Sequence, residues 1–168
     1  MIGKARALED RSGAGTVFAC VLVMLAMLLL TVAFLFCGLL GTVNGAKSRV
    51  QEALDAALGN ALSEQYDTVR DGNLPTVTVG LAEVNGELAM SLAIAPEDGR
   101  FTKRRGDDIL WCLRLTDVTE TRSEELLTVT VQGELQVPVA FGGETVGTVT
   151  VPIRVESGIG CKYERIGE

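Results

Sequence analysis

The sequence predicts an α+β fold: a long N-terminal transmembrane helix continuing into an amphipathic helix packed on a small antiparallel β-sheet. Three observations predict it. Val17 to Leu40 contains one polar side chain, Thr31, and no charge. Val50, Leu54, Leu58 and Leu62 then recur every four residues. From Leu74 onward the apolar residues recur mostly every second position, the period of a strand.

The apolar run is 24 residues long, and a spanning helix needs about 20. Inside lipid such a helix satisfies its own backbone polar groups. Uncharged sequence extends from Ser12 to Ala46. Residues 1–13 read as a cytoplasmic leader and 14–46 as the transmembrane helix. Lys4, Arg6 and Arg11 precede it, and basic flanks stay cytoplasmic, so the C-terminal domain is expected to be extracytoplasmic. The competing reading is a cleaved secretory signal. A signal core runs about 7–15 residues, shorter than this one, and Val43-Asn44-Gly45-Ala46 is a mediocre cleavage site. A cut before the run, at Gly13 or Gly15, would leave the anchor attached.

Residues 47–73 read as the amphipathic helix and a linker. Ala57 and Ala61 sit beside the leucine stripe, while Glu52, Asp55 and Glu64 lie off it, as in a helix with one buried face. No proline occurs from Gly13 to Leu74, so one rod of about 50 residues, roughly 75 Å at 1.5 Å per residue, is expected. Gly41 and Gly45 have the spacing that lets two helices approach closely; the bland explanation is the ordinary tolerance of membrane helices for glycine.

Residues 74–168 read as a β-rich domain of five strand segments. Val77, Val79 and Leu81 alternate in the first, Asn85-Gly86 supplies a hairpin signal, and Leu88, Met90, Leu92 and Ile94 return. Glu83 breaks the phase, suggesting a bulge. Residues 95–108 read as a polar loop with Lys103-Arg104-Arg105 at its tip, either solvated or touching a partner. Ile109, Trp111, Leu113 and Leu115 form a third strand, with Trp111 as a core anchor, and Thr116–Glu125 reads as a loop. Leu127–Val139 and Thr145–Val155 pair across Gly142-Gly143. Pro138 and Pro152 cannot donate to a ladder and belong at an edge or bulge.

The residue inventory excludes several functions. The net charge is −7; residues 1–46 carry +1, so the remainder carries −8. A domain this acidic is a poor nucleic-acid binder, and anionic lipid repels it. The chain has no histidine, which removes the commonest general base and metal ligand. The glycines form no phosphate-cradling loop, the two outer cysteines make no zinc site, and the carboxylates are scattered. No enzymatic activity and no cofactor are expected. Cys20 and Cys37 are 17 residues apart in the apolar run. Only Cys112 and Cys161 remain for a disulfide, with two separate thiols as the alternative.

The organisation resembles a known family. Arg11-Ser12-Gly13 leads into Ala-Gly-Thr-Val-Phe-Ala-Cys-Val-Leu-Val-Met-Leu, then a long apolar helix, an amphipathic stretch and a small β-rich domain. This is similar to the TadE/TadF-like minor pilins (pseudopilins) of bacterial tight-adherence pilus systems, as is the Val129–Ile153 run. The resemblance implies a non-enzymatic structural subunit whose partners are the lipid bilayer and other pilin-like or secretion-apparatus subunits. It also implies a prepilin peptidase cutting after Gly13 or Gly15. The family usually has glutamate five residues into the mature chain; here that position is Phe18 or Cys20. The alternative is a single-pass, membrane-anchored extracellular binding module unrelated to pili.

Overall fold

The computed structural model describes residues 3–63, 78–123, 126–141 and 144–160. These form an α+β fold of helix α1 (Gly3–Ser63), helix α2 (Leu81–Leu92) and strands β1 (Arg100–Arg105), β2 (Asp108–Arg122), β3 (Leu126–Phe141) and β4 (Glu144–Gly160). The chain divides into two compact units, Met1–Leu40 and Gly41–Glu168.

From Val17 to Leu40 α1 exposes large apolar side chains all round, up to 74% for Met24, with Leu39 alone half-buried. A helix apolar on every side needs an apolar surrounding, and this one is long and apolar enough to cross a membrane. The lone hydroxyl of Val17–Leu40, on Thr31, donates to the Met27 carbonyl at 2.9 Å, so it needs no outside partner.

In the second unit α1 changes character. Ala46, Val50, Ala53, Leu54, Ala57 and Leu58 are buried, a stripe with the three-and-four spacing of one helix face. The opposite face carries an Arg49–Glu52 ion pair at 3.0 Å. Polar contacts set the docking at the stripe's borders. Gln51 donates to the Glu156 carbonyl at 3.2 Å, and the Ser157 hydroxyl donates to Asp55 at 2.6 Å. Asn60 reaches Glu87 of α2 at 2.8 Å.

The sheet is an antiparallel meander ordered β1-β2-β3-β4. Its helix-covered face runs in rows across the strands. Phe101, Leu113, Leu135 and Val151 form one row, and Val118, Val131 and Val155 another. Phe101, Leu113, Leu135 and Val131 are fully buried. Between these rows β2 carries a bulge at Leu115/Asp117, and Gly133 sits opposite Leu115. A Cβ on Gly133 would meet the Arg114 carbonyl oxygen at 2.7 Å and the Leu115 Cα at 3.3 Å. The glycine is thus required by close backbone approach. Gly133→Ala should cost about 1–3 kcal/mol, the usual penalty for overpacking, read as a lower urea midpoint at unchanged slope.

Both strand prolines are accommodated. Pro152 lies on β4, an edge strand. Pro138 lies beyond Gln136, where β3 no longer has β2 as a neighbour, and beside the register shift at Val139/Ala140.

Four expectations are corrected. The first concerns residues 79–94, which are not a hairpin: Leu81–Leu92 is helix α2, and the described sheet has four strands. Leu81, Ala82, Glu83, Glu87, Leu88, Ala89 and Met90 are good helix formers, and together they outweigh one interior glycine costing about 1 kcal/mol. Val84 and Leu88, one turn apart, are buried. Glu83 makes no bulge; its carboxylate accepts the Gly80 N–H ahead of the helix. The helix ends with Ala93 left-handed at φ 53°, the Ile94 N–H bonding the Ala89 carbonyl at 3.3 Å. Glycine suits that position better than any residue with a Cβ, whose left-handed conformation costs about 1–2 kcal/mol, so Ala93→Gly should stabilise the domain, seen as a higher thermal midpoint.

The second correction is that residues 95–108 contain strand β1. The region has two tight turns: Asp98-Gly99, both with positive φ (51° and 71°), closed by two Glu97–Arg100 backbone bonds at 2.9 Å, and Gly106-Asp107, which joins β1 to β2. Third, Lys103-Arg104-Arg105 therefore lies on an edge strand, not at a loop tip. Fourth, residues 116–122, read as loop, continue β2. Thr119 and Thr121 face solvent, and Glu120 turns inward to accept the Val79 N–H at 2.8 Å. That bond holds the chain at the entry to α2. Val77, Glu124, Glu125, Gly142 and Gly143 lie outside the described residues.

Candidate functional site

Gly13 and Gly15 both lie within α1. A Cβ on Gly41 or Gly45 would meet no atom within 4 Å, so nothing among the described residues packs against either. Close helix–helix contact there requires another chain.

Cys112 is a free, half-buried thiol on β2, and the Thr102 hydroxyl donates to its sulfur at 3.7 Å. Cys161 lies outside the described residues. Gly160 pairs with Leu126 and Cys112 with Gln136.

The solvent-facing side of the sheet holds a feature the sequence did not disclose. A hollow of about 590 Å³ opens there, within the size range of ligand sites. Strand alternation puts Arg100, Thr102 and Arg104 of β1 on this face, and Cys112 and Arg114 of β2 beside them. All five line the hollow, and Glu97 and Asp98, from the hairpin ahead of β1, also border it. Arg100 and Arg114 are direct cross-strand partners. Among the described residues none of the three guanidinium groups has an ion-pair or hydrogen-bond partner. By contrast Arg154, further along the sheet, holds Glu156 at 2.6 Å.

The chemistry available here is recognition of negative charge. Arg presents a planar fork of donors that matches carboxylate and phosphate. Among the described residues no group of three acidic or cysteine side chains could hold a metal ion.

Sequence reading missed Arg100 and Arg114 because strand register alone brings them together. The one signal was the basic density of Arg100–Arg105, which pointed to a loop. No family model matches the chain, and neither the curated proteins nor the solved structures yield a match.

Proposed function

We propose that this protein is a non-enzymatic, single-pass, membrane-anchored structural subunit, with its N-terminus cytoplasmic and its sheet domain extracytoplasmic. Within that class, the particular reading is a TadE/TadF-like pseudopilin of a bacterial pilus or secretion apparatus. The observation that supports it best is the change of character along α1. The helix exposes apolar side chains on every side up to Leu40, then buries one stripe in a folded domain from Ala46 to Leu58. The first part suits lipid and neighbouring apolar helices; the second orients a domain for partner subunits. Gly41 and Gly45, open at the junction, are the expected contact points.

Intact mass of the membrane-extracted protein tests the reading. Retention of residues 17–40 is expected, and loss of residues 1–13 or 1–15 would identify prepilin-peptidase processing. A mature chain beginning at Lys47 would refute the anchor. The arginine-lined hollow favours the second reading, an anchored extracellular binding module. A neighbouring gene set with a secretion ATPase and a polytopic membrane platform favours the first; its absence favours the second.

A further inference from the structure

The sheet's outer face breaks a rule around β1 and β2. Like charges directly opposite on antiparallel strands are destabilising, yet Arg100 faces Arg114. Glu134 is Arg114's partner on the other side, and even so, among the described residues, no ion pair relieves the two arginines. Arg104, two positions beyond Thr102, adds a third guanidinium to the same hollow, also without an ion-pair partner among the described residues. Five of the twelve cations in residues 47–168 fall between Arg100 and Arg114, in a segment otherwise carrying a large acidic excess. Local rules are broken in this way where a site needs them broken.

Edge protection is the bland explanation, since charged side chains on edge strands discourage sheet-to-sheet pairing. It accounts for Lys103, Arg104 and Arg105 on β1. It does not account for Arg114, which lies on β2, an interior strand, facing a like charge.

The surroundings narrow the ligand. Glu97 and Asp98 border the hollow, so a dense polyphosphate or nucleic-acid backbone meets repulsion there. A peptide satisfies both charges: its carboxylates engage the guanidinium forks, and its backbone N–H groups donate to the bordering carboxylates. β1 is moreover an edge strand, the kind of edge along which an extended peptide adds. We infer that the hollow binds an acidic peptide segment of a partner protein, with its carboxylates held by Arg100, Arg104 and Arg114. This inference is independent of how the anchor is oriented or processed.

The test uses the full chain in non-ionic detergent, titrated with a fluorescent, end-blocked hexaglutamate peptide and followed by anisotropy. Saturable, salt-sensitive binding is expected. Arg100→Gln and Arg114→Gln should each weaken it tenfold or more, as expected for losing hydrogen bonds to a charged group. Arg100→Glu should abolish binding yet raise the thermal midpoint, because it sets an opposite charge across from Arg114. A purely structural role for these arginines would not separate the two readouts in that way. Absence of binding, undiminished binding by both Gln variants, or tighter binding of pyrophosphate or an oligogalacturonate would each overturn the assignment.

Discussion

Leu54→Asp should unfold the sheet domain while leaving the protein in the membrane fraction. Leu54 is 0% exposed, at the centre of the α1 stripe, between Val50 one turn before it and Leu58 one turn after. Truncating a buried leucine to alanine already costs about 2–5 kcal/mol. Aspartate adds the penalty of a buried carboxylate whose only escape is protonation or unfolding. Against a total stability of about 5–15 kcal/mol for a domain of ordinary size, that combined loss removes most or all of the margin. Limited proteolysis of membranes reads the effect. The parent should give a resistant fragment from about residue 41 onward, and the variant should be degraded back to the span. Leu54→Ala should fall between them. An unaltered digestion pattern in Leu54→Asp would mean that the stripe does not hold the sheet.

The second large effect concerns the span, and it should be graded. Val17–Leu40 contains fifteen Leu, Val and Phe residues. At about −0.3 to −0.6 kcal/mol each on an insertion scale, they contribute roughly −5 to −9 kcal/mol. One arginine at mid-span costs about 2.5–3.5 kcal/mol, so Leu29→Arg alone should remain in the membrane. Leu25→Arg, Leu29→Arg and Val32→Arg together cost roughly 8–10 kcal/mol on the same scale, enough to cancel the whole gain. The triple variant should appear in the carbonate-soluble fraction with its sheet domain intact. Its retention as an integral protein would show that something other than this segment holds the chain in place.

These two expectations rest on the parts of the molecule that were most legible in the sequence. The apolar run needs only composition to be recognised. The stripe from Val50 to Leu58 needs only its four-residue repeat, and the β3–β4 pair shows long alternation with β-branched residues. In each case the pattern is long, and one physical cause dominates it.

The misread segments are those where two causes overlap. Leu88, Met90, Leu92 and Ile94 alternate as in a strand, but Val84 and Leu88 bury themselves one helical turn apart. Residue type, rich in Leu, Ala, Glu and Met, was the better guide than period. Asn85-Gly86 and Asp98-Gly99 carry the same turn signal; only the second is flanked by residues that pair. β1 was hidden because only Phe101 of its six residues is buried. The distal part of β2 was hidden because its inward Glu120 serves a backbone N–H instead of packing apolar surface.

The arginine hollow was not legible for a different reason. Arg100 and Arg114 are fourteen residues apart, and nothing local marks them as neighbours. Their meeting follows from the β1–β2 register, itself set by the Gly106 turn and the shift at Lys103/Arg104. Sites assembled across strands become visible only after the register is known.

In the arrangement proposed above, one uncleaved helix holds the sheet domain outside the cytoplasm, and the thiol of Cys112 reports on which side that domain lies. In a Cys161→Ser background, intact cells (or spheroplasts, where an outer layer blocks access) are treated with a membrane-impermeant maleimide. Cys112 should label without lysis, while Cys20 and Cys37, within the span, stay protected and the labelled chain remains in the membrane pellet. Labelling of Cys112 only after lysis, or recovery of the labelled domain as a soluble chain lacking residues 17–40, would contradict it.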